Sequence, residues 1–307
     1  MKQRISEPPL SGSLPKQASW WKDSFVVGFG ILFGTALWVS CTISSEWLPN
    51  VFYTLGIAIA AAVVLFLSRG YQPPPVKIAH PFLECWVSIG WYGIFFLLSM
   101  LWKGEGILAD EFGKWVWFIV IPITLLLIVR GRKIDLGATL QSIGLHRHGL
   151  GKAVLFAILA YALMVPAIAM FMPNPQLQKL QAILHAPLKA LIILPLSIGL
   201  SFITAATTEE IFFRGIIQSR LAEVSGSEIR GCLLAAFLFG IYHLPYAYFL
   251  ADWPTHGNMI WALSAVLTEQ MAAGVLLGIL WVRTHNLFAP IIFHTLVNTL
   301  AIMTMLK

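Results

Sequence analysis

Two glutamates and an arginine stand together in an apolar stretch of the chain, at Glu209, Glu210 and Arg214. Glu210 and Arg214 are four residues apart with the acid first, which is the favoured order for an ion pair on one helix. Glu209 points about 100° away from Glu210 on a helix and has phenylalanines three and four residues later, so no cation on its own helix serves it. An unpaired carboxylate in apolar surroundings can act as a general base. The alternative is that both glutamates lie at a solvated helix end.

Two histidines further along the chain belong to pairs with helical spacing. Phe239 precedes His243 by four residues and His294 precedes Asn298 by four, so the members of each pair would share one helix face. A lone histidine in an apolar helix is as often a packed core residue, but two histidines and an amide, together with the glutamates, favour a site. The candidate site residues are Glu209, His243, His294 and Asn298, together with the ion pair of Glu210 and Arg214 and with Phe239.

The composition of the chain places these residues inside a membrane. Of 307 residues, 58% are hydrophobic and 11% are charged, and the mean hydropathy is +0.79. In an ordinary soluble domain about 25% of the residues are charged, and about 20 apolar residues cross a bilayer as a helix. We predict an all-α, polytopic transmembrane helical bundle with about eight or nine membrane helices, at residues 25–43, 51–68, 86–102, 115–129, 153–172, 188–208, 231–250, 259–282 and 287–306.

Two of these segments leave the number of crossings open. The segment at 115–129 is short, and the helix that contains 188–208 could continue to Arg220. Between crossings, the stretch from 130 to 151 is rich in charge and glycine, which predicts a loop.

Two pairs of glycines have the spacing of closely packed membrane helices. Gly30 and Gly34 form one GxxxG pair, and Gly274 and Gly278 form another, so we predict a packing role for both. No internal repeat stands out, which weighs against a transporter built from repeated halves.

The basic residues are distributed unevenly between alternate loops. If all nine segments cross and the N-terminus is cytoplasmic, 15 of the 20 lysines and arginines lie inside. This bias follows the positive-inside rule and predicts a multi-pass protein of the bacterial inner (plasma) membrane with a cytoplasmic N-terminus. It also explains the net charge of +6 without a nucleic-acid partner. The basic residues left outside are Lys103, Lys114, Lys179, Lys189 and Lys307.

The depth of the polar residues can be estimated from the rise of a helix. Measured at 1.5 Å per residue from cytoplasmic helix ends at Arg220, Gly231 and Leu287, the four catalytic candidates lie roughly 11–18 Å from the cytoplasmic face. Residues of three helices therefore reach similar levels. We predict that they meet in one cavity that opens toward the cytoplasm.

The ordered set of EExxxR, FxxxH and HxxxN in successive membrane helices resembles the CPBP family of glutamic-type intramembrane proteases. This family includes the CAAX prenyl endopeptidases and many bacterial Abi-type proteins. All three motifs are intact here, and the resemblance covers about residues 188–306. The chain then divides into a cytoplasmic N-terminal basic segment at 1–24, N-terminal transmembrane helices at 25–172 and a catalytic CPBP-like transmembrane core at 188–306.

The resemblance implies an intramembrane endopeptidase that acts on a membrane-associated protein or peptide, prenylated or not, without a cofactor. Glu209 and His243 would activate a water for attack on a peptide carbonyl. His294 and Asn298 would stabilise the oxyanion. The pair of Glu210 and Arg214 would hold the helix geometry.

Three other interpretations remain open. The first is a zinc-dependent protease, with Glu209, His243 and His294 as ligands of an open site. The second is a proton-coupled transporter, in which buried glutamate and histidine form a relay. The third is a non-catalytic membrane scaffold or immunity protein, against which the cost of inserting charges argues. The HExxH, GxSG and GxGD signatures of other membrane proteases are absent from the sequence.

Overall fold

The structure of the protein is a computed structural model. It describes residues 23–44, 47–104, 111–131, 135–171 and 174–306. Within these ranges the regular secondary structure is entirely helical, and nine helices are long and apolar enough to cross a membrane. This confirms the predicted bundle, with nine candidate crossings among the described residues. The predicted basic segment at 1–24 lies almost wholly outside the described residues.

The helices are numbered here in chain order. The crossings are formed by α1, α2, α3, α4, α6, α8, the consecutive pair α9 and α10, the consecutive pair α11 and α12, and α13. The bounds are α1 Ser24–Ile43, α2 Trp47–Leu67, α3 Pro81–Leu101, α4 Phe112–Arg130, α5 Leu136–Ser142, α6 Leu150–Phe171, α7 Asn174–Leu184, α8 Pro187–Ser225, α9 Glu228–Tyr242, α10 Leu244–Phe249, α11 Met259–Thr268, α12 Gln270–Thr284 and α13 Phe288–Met305.

The longest helix, α8, has 39 residues and continues past Arg220, as the sequence allowed. It contains two π-helical segments, at Phe202–Ala206 and Ile211–Gln218, on either side of the short α-helical stretch Thr207–Glu210. A π-turn widens a helix locally and is frequent at functional sites. The two glutamates therefore lie where the regular winding of α8 is interrupted on both sides.

Two connections between the crossings contain short helices. The predicted loop at 130–151 contains α5, whose first turn is capped because the Asp135 carboxylate accepts from the Ala138 N–H at 2.9 Å. The connection between α6 and α8 contains α7. Charge and glycine content predicted a loop at 130–151, but a local cap starts a helix within it.

One face of the bundle, here called the basic face, is held together by contacts between helix ends. Arg230 Nε donates to the Asp23 carboxylate at 2.9 Å, and this hydrogen bond holds the pKa of Asp23 below its usual range. Arg283 Nε donates to Ser68 Oγ at 2.7 Å. An alternating topology places all of these helix ends on one side, so the contacts agree with nine crossings. We define the basic face by Asp23, Ser68, Glu84, Arg130, Arg220, Arg230 and Arg283.

A buried carboxylate with two arginines ties four helices together at this face. Glu84, on α3, is fully buried and accepts from Arg130 Nε at 3.0 Å and from Arg220 Nη2 at 2.9 Å. Both arginines also reach the Ser142 hydroxyl at the end of α5. Arg130 and Arg220 were counted as charges of cytoplasmic loops, but the structure buries Arg220 completely.

The two glycine pairs behave differently. A Cβ atom on Gly278 would lie 2.5 Å from Cys232 Sγ, and one on Gly274 would lie 3.1 Å from the Ala236 backbone, so this pair brings α12 against α9. No atom of the described residues lies within 4 Å of such an atom on Gly30 or Gly34. The predicted packing role is confirmed for the pair on α12 and is wrong for the pair on α1.

We expect Gly278→Ala to destabilise the protein by about 1–3 kcal/mol, because the added methyl group would overpack the contact between α12 and α9. Gly34→Ala should leave the unfolding temperature unchanged or slightly higher, since the methyl group enters open space. Thermal unfolding of the two detergent-solubilised variants measures the difference. Equal unfolding temperatures would contradict the close packing of α12.

Candidate active site

The two glutamates of α8 point into the bundle. Glu209 is 4% exposed and Glu210 is 0% exposed, so neither lies at a solvated helix end. The solvated alternative raised by the sequence is therefore wrong. An ionised carboxylate at such a position needs donors from its neighbours.

Glu210 receives donors from two helices through one oxygen. Arg214 Nη1 donates to Glu210 Oε1 at 3.0 Å, which confirms the predicted ion pair. His294 Nδ1, on α13, lies 2.7 Å from the same oxygen. Because an ionised carboxylate only accepts, His294 carries its proton on Nδ1, and its Nε2 faces Glu209 Oε2 at 4.0 Å. The sequence spacing predicted the contact of Glu210 with Arg214 but did not predict its contact with His294.

Arg214 spreads its contacts over two further helices. Its Nη2 donates to the Gly274 carbonyl of α12 at 3.2 Å, and its guanidinium lies 4.3 Å from the ring centre of Phe239 on α9. The side chain is fully buried. Phe239 therefore supports the site by packing under a cation, in addition to its place in the FxxxH spacing.

His243 lies where the crossing formed by α9 and α10 breaks. Its Nδ1 is 2.8 Å from the Phe239 carbonyl, and its backbone N–H donates to the Gly240 carbonyl at the end of α9. A carbonyl oxygen only accepts, so Nδ1 donates and Nε2 of the neutral ring presents a lone pair. Pro245 follows in the first turn of α10. The i, i+4 spacing thus fixes the orientation of this imidazole.

Glu209 has two neighbours that the sequence analysis did not select. Tyr242 Oη lies 3.5 Å from Glu209 Oε1, and Lys114 Nζ, on α4, lies 3.9 Å from the same oxygen. No cation serves Glu209 from its own helix, as predicted, but Lys114 approaches from another helix. Lys114 had been assigned to an outer loop. The feature of the sequence that could have identified Tyr242 as a site residue is its position directly before His243.

Asn298 is one helical turn beyond His294 on α13 and is half-buried. Its amide makes no hydrogen bond to a described residue, unlike the two histidines and the two glutamates. The structure therefore joins Glu209, Glu210 and His294 by side-chain contacts and brings His243 beside them through Phe239, whose ring centre is 4.9 Å from His243 and 6.2 Å from His294.

The predicted depth of the site requires correction. Leu287 packs beside Gly215, ten residues before α8 ends at Ser225, so the helix ends used as a common level are not level. From the ends of α8 and α9 at the basic face, Glu209 and His243 lie roughly 22–24 Å along their helices. Lys114, near the opposite end of α4, reaches Glu209. A cavity that opens toward the cytoplasm remains a prediction.

Glu209, His243 and His294 are the three side chains that could ligate a zinc ion. Among residues 23–44, 47–104, 111–131, 135–171 and 174–306, no group of three or more His, Cys, Asp or Glu side chains is arranged to hold a metal. Glu209 Oε2 and His294 Nε2 are 4.0 Å apart, and the Nδ1 atoms of both histidines are engaged by oxygen atoms. As placed, the three side chains do not form a zinc site.

The fold and the site define a multi-pass membrane protein with an intramembrane cluster of carboxylates and imidazoles. Residues 190–300 match the family model described as type II CAAX prenyl endopeptidase Rce1-like, and this segment contains every candidate residue from Glu209 to Asn298. The resemblance predicted from the three motifs is confirmed over that segment, and the match supports protease activity. Neither a curated protein nor a solved structure matches the chain.

We expect Glu210→Gln to lower the stability of the protein by about 3 kcal/mol or more, because the buried Arg214 loses its counter-charge. The matched control is Glu228→Gln, which removes a carboxylate that is 46% exposed and lies 3.3 Å from His285. That exposed pair contributes about 0–1 kcal/mol. Thermal unfolding in detergent compares the two variants. Equal losses would mean that the buried pair does not depend on the charge of Glu210.

Proposed function

We propose that the chain is a glutamic-type intramembrane endopeptidase that hydrolyses a peptide bond of a membrane-associated protein or peptide with a water activated by Glu209 and His243. The observation that carries this proposal is that Glu209 Oε2 lies opposite the imidazole of His294, which Glu210 holds in place. The family match over residues 190–300 supports the same class of reaction.

The attacking water would be bound between the carboxylate of Glu209 and the imidazole of His243. His243 Nε2 presents a lone pair that can accept one hydrogen of the water, and Glu209 can take the proton as the oxygen bonds to the peptide carbonyl carbon. The proton then passes to the leaving amide nitrogen as the C–N bond breaks. Glu209 therefore acts first as base and then as acid, with no net change in its charge.

His294 would serve the oxyanion with a protonated ring. Its Nδ1 proton points to Glu210, so a donor on Nε2 requires the imidazolium form. In this arrangement the Glu210 carboxylate would act on His294 as the aspartate of a Ser-His-Asp triad acts on its histidine. Asn298, one turn further along α13, offers an amide donor. Glu210 thus has an electrostatic role besides the structural one predicted for its pair with Arg214.

The first substrate class to test is a prenylated protein or peptide, because the description of the matched family names CAAX prenyl endopeptidases. A scaffold would need neither the buried carboxylates nor their partners, each of which costs free energy in a membrane. We place the N-terminus in the cytoplasm of a bacterial cell, since the concentration of arginines at the basic face supports the positive-inside orientation.

The first test compares wild type with Glu209→Gln and with the control Glu223→Gln, an exposed position near the end of α8. We expect Glu209→Gln to lower cleavage at least a thousandfold, since loss of the base removes the group that takes the proton of the water. Glu223→Gln should cleave like wild type. The probe is an internally quenched peptide that ends in a prenylated CAAX sequence, in lipid vesicles.

A second readout covers substrates other than the peptide. The membrane proteomes of cells that express wild type or Glu209→Gln are compared for fragments that disappear with the variant. Identical proteomes together with an uncleaved peptide would argue for a scaffold or transporter and against hydrolysis.

We expect cleavage to survive exhaustive treatment with EDTA and phenanthroline, because the proposed reaction uses only side chains and water. The control is the same treatment of a zinc metalloprotease in the same vesicles. Loss of cleavage that zinc alone restores would instead assign Glu209, His243 and His294 to the metal.

A further inference from the structure

The two carboxylate oxygens of Glu209 have different surroundings. Oε1 lies 3.5 Å from Tyr242 Oη and 3.9 Å from Lys114 Nζ. Oε2 lies 4.0 Å from His294 Nε2. A carboxylate can rotate by half a turn and exchange its oxygens unless a donor holds one of them. Oε1 therefore lies beside a donor that could hold it, whereas Oε2 lies on the side of His294.

The ring that carries the Tyr242 hydroxyl is packed on several sides. The side chain is 2% exposed. Its ring centre is 5.8 Å from that of Phe95, 5.3 Å from that of Phe118 and 5.5 Å from that of Phe213. Aromatic packing at these distances fixes the plane of a ring and hence the position of its hydroxyl.

The same turn of α9 places Tyr242 and His243. His243 is the next residue, and the two ring centres are 4.5 Å apart in an edge-to-face arrangement. A shift of this turn would move the donor to Glu209 and the imidazole together. The sequence Tyr242-His243 therefore couples the orientation of the base to the position of its imidazole partner.

Lys114 does not provide the same constraint. Its ammonium is 3.9 Å from Glu209 Oε1, which is beyond hydrogen-bond distance, and it ends a flexible side chain that is 16% exposed. Its charge acts on Glu209 at a distance, whereas the phenol has a fixed direction. The phenol O–H is a hydrogen-bond donor, which is what an ionised carboxylate accepts from.

We propose that Tyr242 is a positioning residue that donates to Oε1 of Glu209 and thereby keeps Oε2 turned toward His294 and the attacking water. This role rests on the proposed function of Glu209 as the base. Such contacts are often long in the free enzyme and shorten when substrate is bound. The groups near Glu209 are Lys114 from α4, Tyr242 and His243 from the end of α9, and His294 from α13. On its own helix, Arg214 acts on Glu209 only through its charge and Glu210 points away.

The test is Tyr242→Phe, with Tyr92→Phe as the matched control. Tyr92 belongs to the same aromatic cluster, but its hydroxyl donates to the Leu238 carbonyl at 2.9 Å and does not contact Glu209. Removing the donor to a carboxylate disfavours the ionised form. We therefore expect Tyr242→Phe to move the acid limb of the pH profile of kcat upward and to lower kcat about ten- to hundredfold with little change in KM. Tyr92→Phe should leave the pH profile in place.

An infrared titration of the full chain in detergent gives a readout without substrate. The C=O band of protonated Glu209 is identified by its loss in Glu209→Gln. Its titration midpoint should rise by about one pH unit in Tyr242→Phe and stay unchanged in Tyr92→Phe. If the midpoint does not move in Tyr242→Phe, the positioning role is wrong, even if Glu209→Gln abolishes cleavage. A moved midpoint in a chain without cleavage would retain the contact and refute only the proposed function.

Discussion

The site depends on the contacts that the Glu210 carboxylate makes with Arg214 and His294. It is completely buried, and one of its oxygens accepts from Arg214 of α8 and from His294 of α13. Its other oxygen has no hydrogen-bond partner among the described residues. A buried charge of this kind is stable only because its partners are present. The position of α13 relative to α8, and so the distance between His294 and Glu209, follows from this contact.

Arginines fix α8 at two points along its length. Arg214 reaches α12 and α9 at the level of the site, and Arg220 reaches Glu84 of α3 at the basic face. Arg220 also donates to the Gly215 carbonyl at 2.8 Å, inside the π-helical segment. A helix held by charged contacts on different sides cannot turn about its axis without breaking one of them. Glu209 is thereby aimed at Tyr242 and His294.

Aromatic side chains isolate the site on the side of α3 and α4. The rings of Phe118 and Phe212 stack at 4.9 Å, and Phe213 packs against Phe239 and Tyr242. These rings place Glu209 beside apolar surfaces, where electrostatic interactions are stronger than in water.

The sequence by itself determined the membrane bundle, the ion pair of Glu210 with Arg214 and the residues worth testing, because apolar segment length and i, i+4 spacing are local properties. It also marked the FxxxH pair, whose carbonyl contact lies within one helical turn. Only the tertiary structure decided that Glu210 holds His294, that Lys114 and Tyr242 face Glu209, and that Glu84 joins two arginines. These contacts connect residues from 33 to 136 positions apart, and no periodicity within one helix records which side chain of another helix will face it.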